Sequence, residues 1–144
     1  MKAAFLTPSE EEQILQAIAL AESRTSGEIR VHIESRCKAE PVARAVELFY
    51  LLKMDTTAER NGVLIYVATN DHKLAIIGDS GINEVVPPNF WDKARDLMAI
   101  SFKSLKFAEG IVGAISLAGE QLGSWFPFKD GDSNELSNDI SLGE

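Results

Sequence analysis

Apolar residues recur at helical spacing and then at strand spacing, and the two periods alternate along most of the chain. Thr7-Pro8-Ser9-Glu10 opens the first helix. Thr7 suits the cap, Pro8 the first turn, and Glu10 lies three residues past the cap. Ile14, Ala17, Ile18 and Ala21 then form one stripe, and Gly27 predicts the stop near Ser26. Residues 28–34 alternate strictly. Ile29, Val31 and Ile33 fall on one side and Arg30, His32 and Glu34 on the other, which predicts a strand with one buried face. A helix is predicted over residues 41–54, with Val42, Val46, Phe49 and Leu52 on one side.

Residues 63–68 are almost unbroken in apolar character, the pattern of a central strand buried on both faces. Asn70-Asp71-His72 predicts a tight turn, and residues 73–78 the return strand, ended by Asp79-Ser80-Gly81. After the Pro87-Pro88 break, helices are predicted over 89–105 and 107–125, with Trp91, Ala94, Met98 and Phe102 inward on the first and Ile111, Ala114, Ile115, Ala118 and Leu122 on the second. A strand–helix–strand unit makes its two strands parallel through a right-handed crossover, and the hairpin adds an antiparallel third. Helices must cover the apolar strand faces. The fold class is therefore α/β, a three-layer α/β/α sandwich around a mixed sheet.

Composition divides the chain into this domain, residues 1–127, and an acidic tail, 128–144. The tail holds Asp130, Asp132, Glu135, Asp139 and Glu144 against Lys129, half of the net charge of −8. It either stays disordered or folds back onto the body. With 22 acidic against 14 basic residues, a broad basic surface for nucleic acid is not expected. Metal cations or a basic protein partner suit the charge better. The lone Cys37 cannot form an intrachain disulfide. Residues 110–119 are the longest weakly polar stretch, far short of the roughly 20 residues a membrane span needs, so no direct membrane insertion is expected. The opening residues do not read as a signal peptide, which gives a cytoplasmic expectation.

Strand directions locate the candidate chemistry. Ser26, Gly27 and Glu28 start the first strand; Arg60, Asn61 and Gly62 start the parallel second; Asp79 and Ser80 end the antiparallel third. All three segments meet at one edge of the sheet. Glu28 and Asp79 supply hard carboxylate oxygens suited to calcium or magnesium. Asn61 and Ser80 offer neutral oxygens, and Arg60 can hold an anion. Each residue also has a structural reading: Glu28 as a solvated strand start, Asn61-Gly62 as turn chemistry, Asp79-Ser80 as a strand exit and Arg60 as a surface ion-pair former. His32 reads as a packed histidine, and His72 lies at the opposite end. Asp130-Gly131-Asp132-Ser133-Asn134 begins like an EF-hand loop, but Glu135 stands where that loop requires Gly and Ser141 where it requires Glu.

Three segments in order carry a family resemblance: Ser26-Gly27-Glu28-Ile29-Arg30-Val31, Arg60-Asn61-Gly62-Val63-Leu64-Ile65, and Ala75-Ile76-Ile77-Gly78-Asp79-Ser80-Gly81. Together with Phe107-Ala108-Glu109-Gly110-Ile111 and Phe126-Pro127, they resemble the TPM domain over about residues 8–127. That domain is named for a thylakoid-lumen phosphatase-like protein, a photosystem II repair protein and an acetylcholine-receptor accessory protein. The segment 134–141 resembles the ending of short, free-standing bacterial members. The resemblance implies an α/β/α sandwich, divalent-cation binding (usually calcium) and a proposed acid phosphatase activity in plant relatives. By motif position, Glu28 and Asp79 carry over to a metal or active site, and Arg60, Asn61 and Ser80 to flanking roles. Many bacterial members add a signal peptide and a membrane anchor, neither of which is expected here. Three functions follow as expectations: a cation-binding module for binding or assembly, a metal-assisted phosphatase for phosphomonoesters, or a metal-free domain whose partner grips the tail.

Overall fold

Local sequence sets the first helix before any packing does. In the computed structural model, which describes residues 5–128 and 140–143, α1 runs over Pro8–Glu22. The Thr7 hydroxyl accepts from Glu10 N at 3.1 Å and the Glu10 carboxylate accepts from Thr7 N at 2.8 Å, a complete capping box. β1 (Glu28–Glu34), α2 (Pro41–Leu51), β2 (Gly62–Ala68) and β3 (Lys73–Gly78) follow. Then come a single turn, α3 (Ser80–Asn83), the long helices α4 (Phe90–Lys103) and α5 (Phe107–Trp125), and a two-residue strand, β4 (Ser141–Leu142).

The sheet order is β3-β2-β1-β4. β1 and β2 are parallel from the Glu28–Gly62 pair to the Glu34–Ala68 pair, β3 is antiparallel to β2, and β4 is parallel to β1. One face carries Ile29, Val31, Ile33, Val63, Ile65, Val67 and Ile76, which pack against α1, α4 and α5. The other carries Leu64, Tyr66, Ala68 and Ala75 beneath α2 and Met54. The chain is thus an α/β sandwich with a mixed sheet. Ile14, Ile18, Ile65, Ile111 and Ile115 are fully buried, each worth about 1.5–3 kcal/mol of transfer free energy.

Four expectations need correction. α1 ends at Glu22 rather than near Ser26, because the Thr25 hydroxyl bonds to the Leu122 and Phe126 carbonyls and draws the chain toward the end of α5. α2 stops at Leu51, where Lys53 turns left-handed (φ 59°) into a 3-10 turn, Met54–Thr56, and the helix buries Ala45, Leu48 and Phe49 while Val42 and Val46 are exposed. Asp79-Ser80 does not simply end a strand: Asp79 caps α3. β1 does not have one wet face, since Glu28, His32 and Glu34 are buried along with the apolar residues. Of the acidic tail, Ile140 packs on the main core and Ser141–Leu142 extend the sheet, while residues 129–139 and 144, which hold the EF-hand-like run, lie outside the described residues.

Candidate functional site

The starts of β1 and β2 and the end of β3 form the lower edge of the sheet. Glu28 pairs with Gly62, and Asp79 N donates to Gly62 O at 2.9 Å, so Glu28, Gly62 and Asp79 stand in a row across three strands. The loop before β2 is tied to both neighbours. Asn61 Nδ2 donates to Ser26 Oγ at 3.2 Å, Glu28 N donates to Asn61 O at 3.4 Å, and Gly81 N donates to Arg60 O at 2.8 Å. The approach at Gly81 is so close that a Cβ there would overlap the Glu59 carbonyl oxygen and lie 2.6 Å from Arg60 O. Arg60 itself is left-handed (φ 55°), an uncommon conformation for a residue with a side chain.

Each predicted residue has a definite environment. Glu28 is only 2% exposed. Asp79 accepts from Ser80 N at 2.7 Å through Oδ1 and from Arg60 Nε at 3.2 Å through Oδ2. The Arg60 side chain is half exposed, so this pair contributes little net stability. Ser80 is exposed and engages Asp79 through its backbone N–H. Asn61 is buried, and its Oδ1 has no hydrogen-bond partner among the described residues. Glu28 and Asp79 are not a touching pair: Gly62 lies between them, with Met54 O 3.1 Å from where its Cβ would stand. Among the described residues, no three His, Cys, Asp or Glu side chains are grouped to hold a metal ion.

The sequence reading missed one carboxylate at this edge. Glu22 is 5% exposed; its Oε2 accepts from Ile29 N at 2.8 Å, and its Oε1 has no partner among the described residues. Burial pushes its pKa up to about 8, the Ile29 N–H pulls it back, and the charge of Glu28 adds to the rise. The signal was present in the helical period, because Glu22 continues the stripe of Ile14 and Ile18 at intervals of four. Among the described residues, two buried oxygens, Glu22 Oε1 and Asn61 Oδ1, have no hydrogen-bond partner, and the charge of the buried Glu28 reaches Glu22. By type, carboxylate and amide oxygens suit a hard cation, since magnesium needs only one or two carboxylates with neutral oxygens and water.

A second buried polar cluster lies higher on β1. Glu34 accepts from Arg44 Nε and NH2, each at 2.9 Å, from the Tyr66 hydroxyl, and from His32 Nε2 at 3.3 Å. Desolvation pushes the Glu34 carboxyl up, but the Arg44, Tyr66 and His32 hydrogen bonds outweigh it and hold its pKa down to about 2. All of its acceptor capacity is spent on structure. His72 sits in the β2–β3 turn at the far end of the hairpin. Neither histidine reaches the lower edge.

The chain matches the TPM domain over residues 1–121. It is 48% identical to the BA42 protein of the psychrophilic bacterium Bizionia argentinensis, known from an NMR structure, with a TM-score of 0.88 and 96% of each chain covered. No curated protein matches it. No helix among the described residues is long and apolar enough to cross a membrane. The three lower-edge motifs, the mixed sheet between helices and the match over most of the chain agree: this protein belongs to the TPM domain family.

Proposed function

We propose that this protein binds a divalent cation, calcium or magnesium, at the lower edge of the sheet and acts as a binding or assembly module. The observation that carries this reading is a pair of buried oxygens with no hydrogen-bond partner among the described residues, Glu22 Oε1 and Asn61 Oδ1, at the edge where the buried Glu28 begins β1. Buried acceptors left unpaired cost about 1–3 kcal/mol each, and a cation removes that cost. Glu28 and Glu22 would supply charge and Asn61 a neutral oxygen. Asp79 would join from the end of β3 by exchanging Arg60, whose half-exposed side chain can swing into solvent. Ser80 would stay outside the coordination and present Asp79 through its backbone. The test is a calcium titration by calorimetry of wild type, Glu28→Gln and Asp79→Asn. Affinity should fall at least tenfold in Glu28→Gln. Unchanged affinity in both variants would overturn the site.

Metal-assisted hydrolysis of phosphomonoesters is the second reading, favoured by the half-exposed Arg60 guanidinium beside Asp79. A bound cation supplies positive charge to polarise a phosphoryl oxygen. Arg60 would orient the phosphate, and Asp79 would fix Arg60. If hydrolysis of a generic phosphomonoester survives Asp79→Ala, that mechanism is wrong. If no hydrolysis appears with either metal across the pH range, the binding module stands alone.

A further inference from the structure

β4 covers the only described histidine that is buried. His32 is 4% exposed on β1 and pairs in register with Ser141. Its Nδ1 lies 2.9 Å from Ser141 Oγ and its Nε2 3.3 Å from Glu34 Oε1. Glu34 is ionised and can only accept, so His32 Nε2 carries the proton and neutral Nδ1 accepts from the Ser141 hydroxyl. Gly143 closes the cover. Its N–H donates to Ile33 O at 2.7 Å, and a Cβ there would lie 2.7 Å from Glu34 Oε1 and 2.9 Å from His32 Nε2. Glu34 cannot move aside, because Arg44 and Tyr66 pin it.

We propose that Ser141–Gly143 is a proton-sensitive latch, closed over the neutral imidazole of His32 and opened when that imidazole takes up a proton. A second charge under the closed strand is costly. Burial removes water from the imidazolium and pushes its pKa down; Glu34 favours the charge, while Arg44 from α2 and Arg30 on the same strand oppose it. Tyr66 from β2 stacks on the ring with centroids 6.1 Å apart and stays neutral, and Cys37 lies beyond it as a buried thiol. Among the described residues β4 pairs with the sheet at two positions, far fewer than the other strands, so it is the element that can yield. Opening it rehydrates His32 without disturbing the helices. By linkage, whatever opens the strand must raise the affinity of His32 for a proton, and protonation must favour opening by the same factor.

NMR on the full chain tests both directions of that linkage. In wild type, hydrogen-exchange protection of the Gly143 amide should fall as pH drops from 7.5 to 5, by no more than tenfold per unit for one proton, while amides in the centre of β2 hold steady. In Gly143→Ala, the added methyl should displace the strand and move the His32 titration midpoint toward the ordinary value of 6.5. In His32→Gln, Gly143 protection should lose its pH dependence. The latch is overturned if Gly143 protection in wild type is flat while the His32 resonances titrate. It is equally overturned if Gly143→Ala displaces β4 and leaves the His32 midpoint unmoved.

Discussion

Replacing Glu22 with Gln isolates the energetic cost of one buried carboxyl. In the folded protein Glu22 keeps its proton to about pH 8, whereas the unfolded chain releases it near 4.5. Between those values the folded state holds more protons, so stability falls as pH rises. The slope is at most about 1.4 kcal/mol per pH unit, and the whole window is worth up to about 5 kcal/mol. Gln keeps an acceptor for the Ile29 N–H and never ionises. Wild type and Glu22→Gln should therefore be within about 1 kcal/mol at pH 4.5, and the variant ahead by several kcal/mol at pH 8.5. Urea unfolding in the presence of a chelator, followed by Trp91 and Trp125 fluorescence, measures both curves. Saturating calcium should narrow the gap at pH 8.5, because the cation takes over the role of the proton. Parallel stability profiles for the two proteins across pH 4.5–8.5 would refute the burial argument.

Cation binding at pH 7 should release roughly 0.9 proton per ion, since Glu22 is about nine-tenths protonated there. Calorimetry in buffers of different ionisation enthalpy measures that number, and zero release would remove Glu22 from the ligand set. Arg44→Ala leaves Glu34 buried without its bidentate partner and should destabilise the fold by about 2–4 kcal/mol at pH 7. The paired state of Glu34 stabilises the fold fully above about pH 4.5 and is lost as pH falls through 2, so Arg44→Ala should also begin acid unfolding at a higher pH. Gly81→Ala should cost about 1–3 kcal/mol, read as a lower urea midpoint, because the methyl has no room against the Glu59 and Arg60 carbonyls. Ile65→Ala, at a fully buried position on β2, should cost about 2–5 kcal/mol in the same assay.

The sandwich was legible because its two periods are clean. The capping box at Thr7, the apolar run of β2 and the Asn70-Asp71-His72 turn each encode one local choice, and those choices agree. Strand direction alone was enough to bring Glu28, Asn61 and Asp79 to one edge. Alternation could not show that both faces of β1 are buried. The polar residues His32 and Glu34 are paired by Arg44, Tyr66 and Ser141, which lie 10 to 109 residues away in sequence. β4 was hidden for the same reason: two residues of pairing leave no periodicity to detect. Glu22 was missed because it keeps the spacing of the apolar stripe but not its hydropathy, and a charged residue at a helix end reads as solvated. Met54 packed over Gly62, between Glu28 and Asp79, is a tertiary fact with no local signature.

The most direct test of cation binding at the lower edge is a residue-resolved amide NMR titration with calcium and then magnesium. The account predicts saturable shifts concentrated at Glu22, Glu28, Asn61 and Asp79, with the strongest response on β1 and the loop before β2. Saturable shifts confined to residues 128–144, or none anywhere, would contradict it.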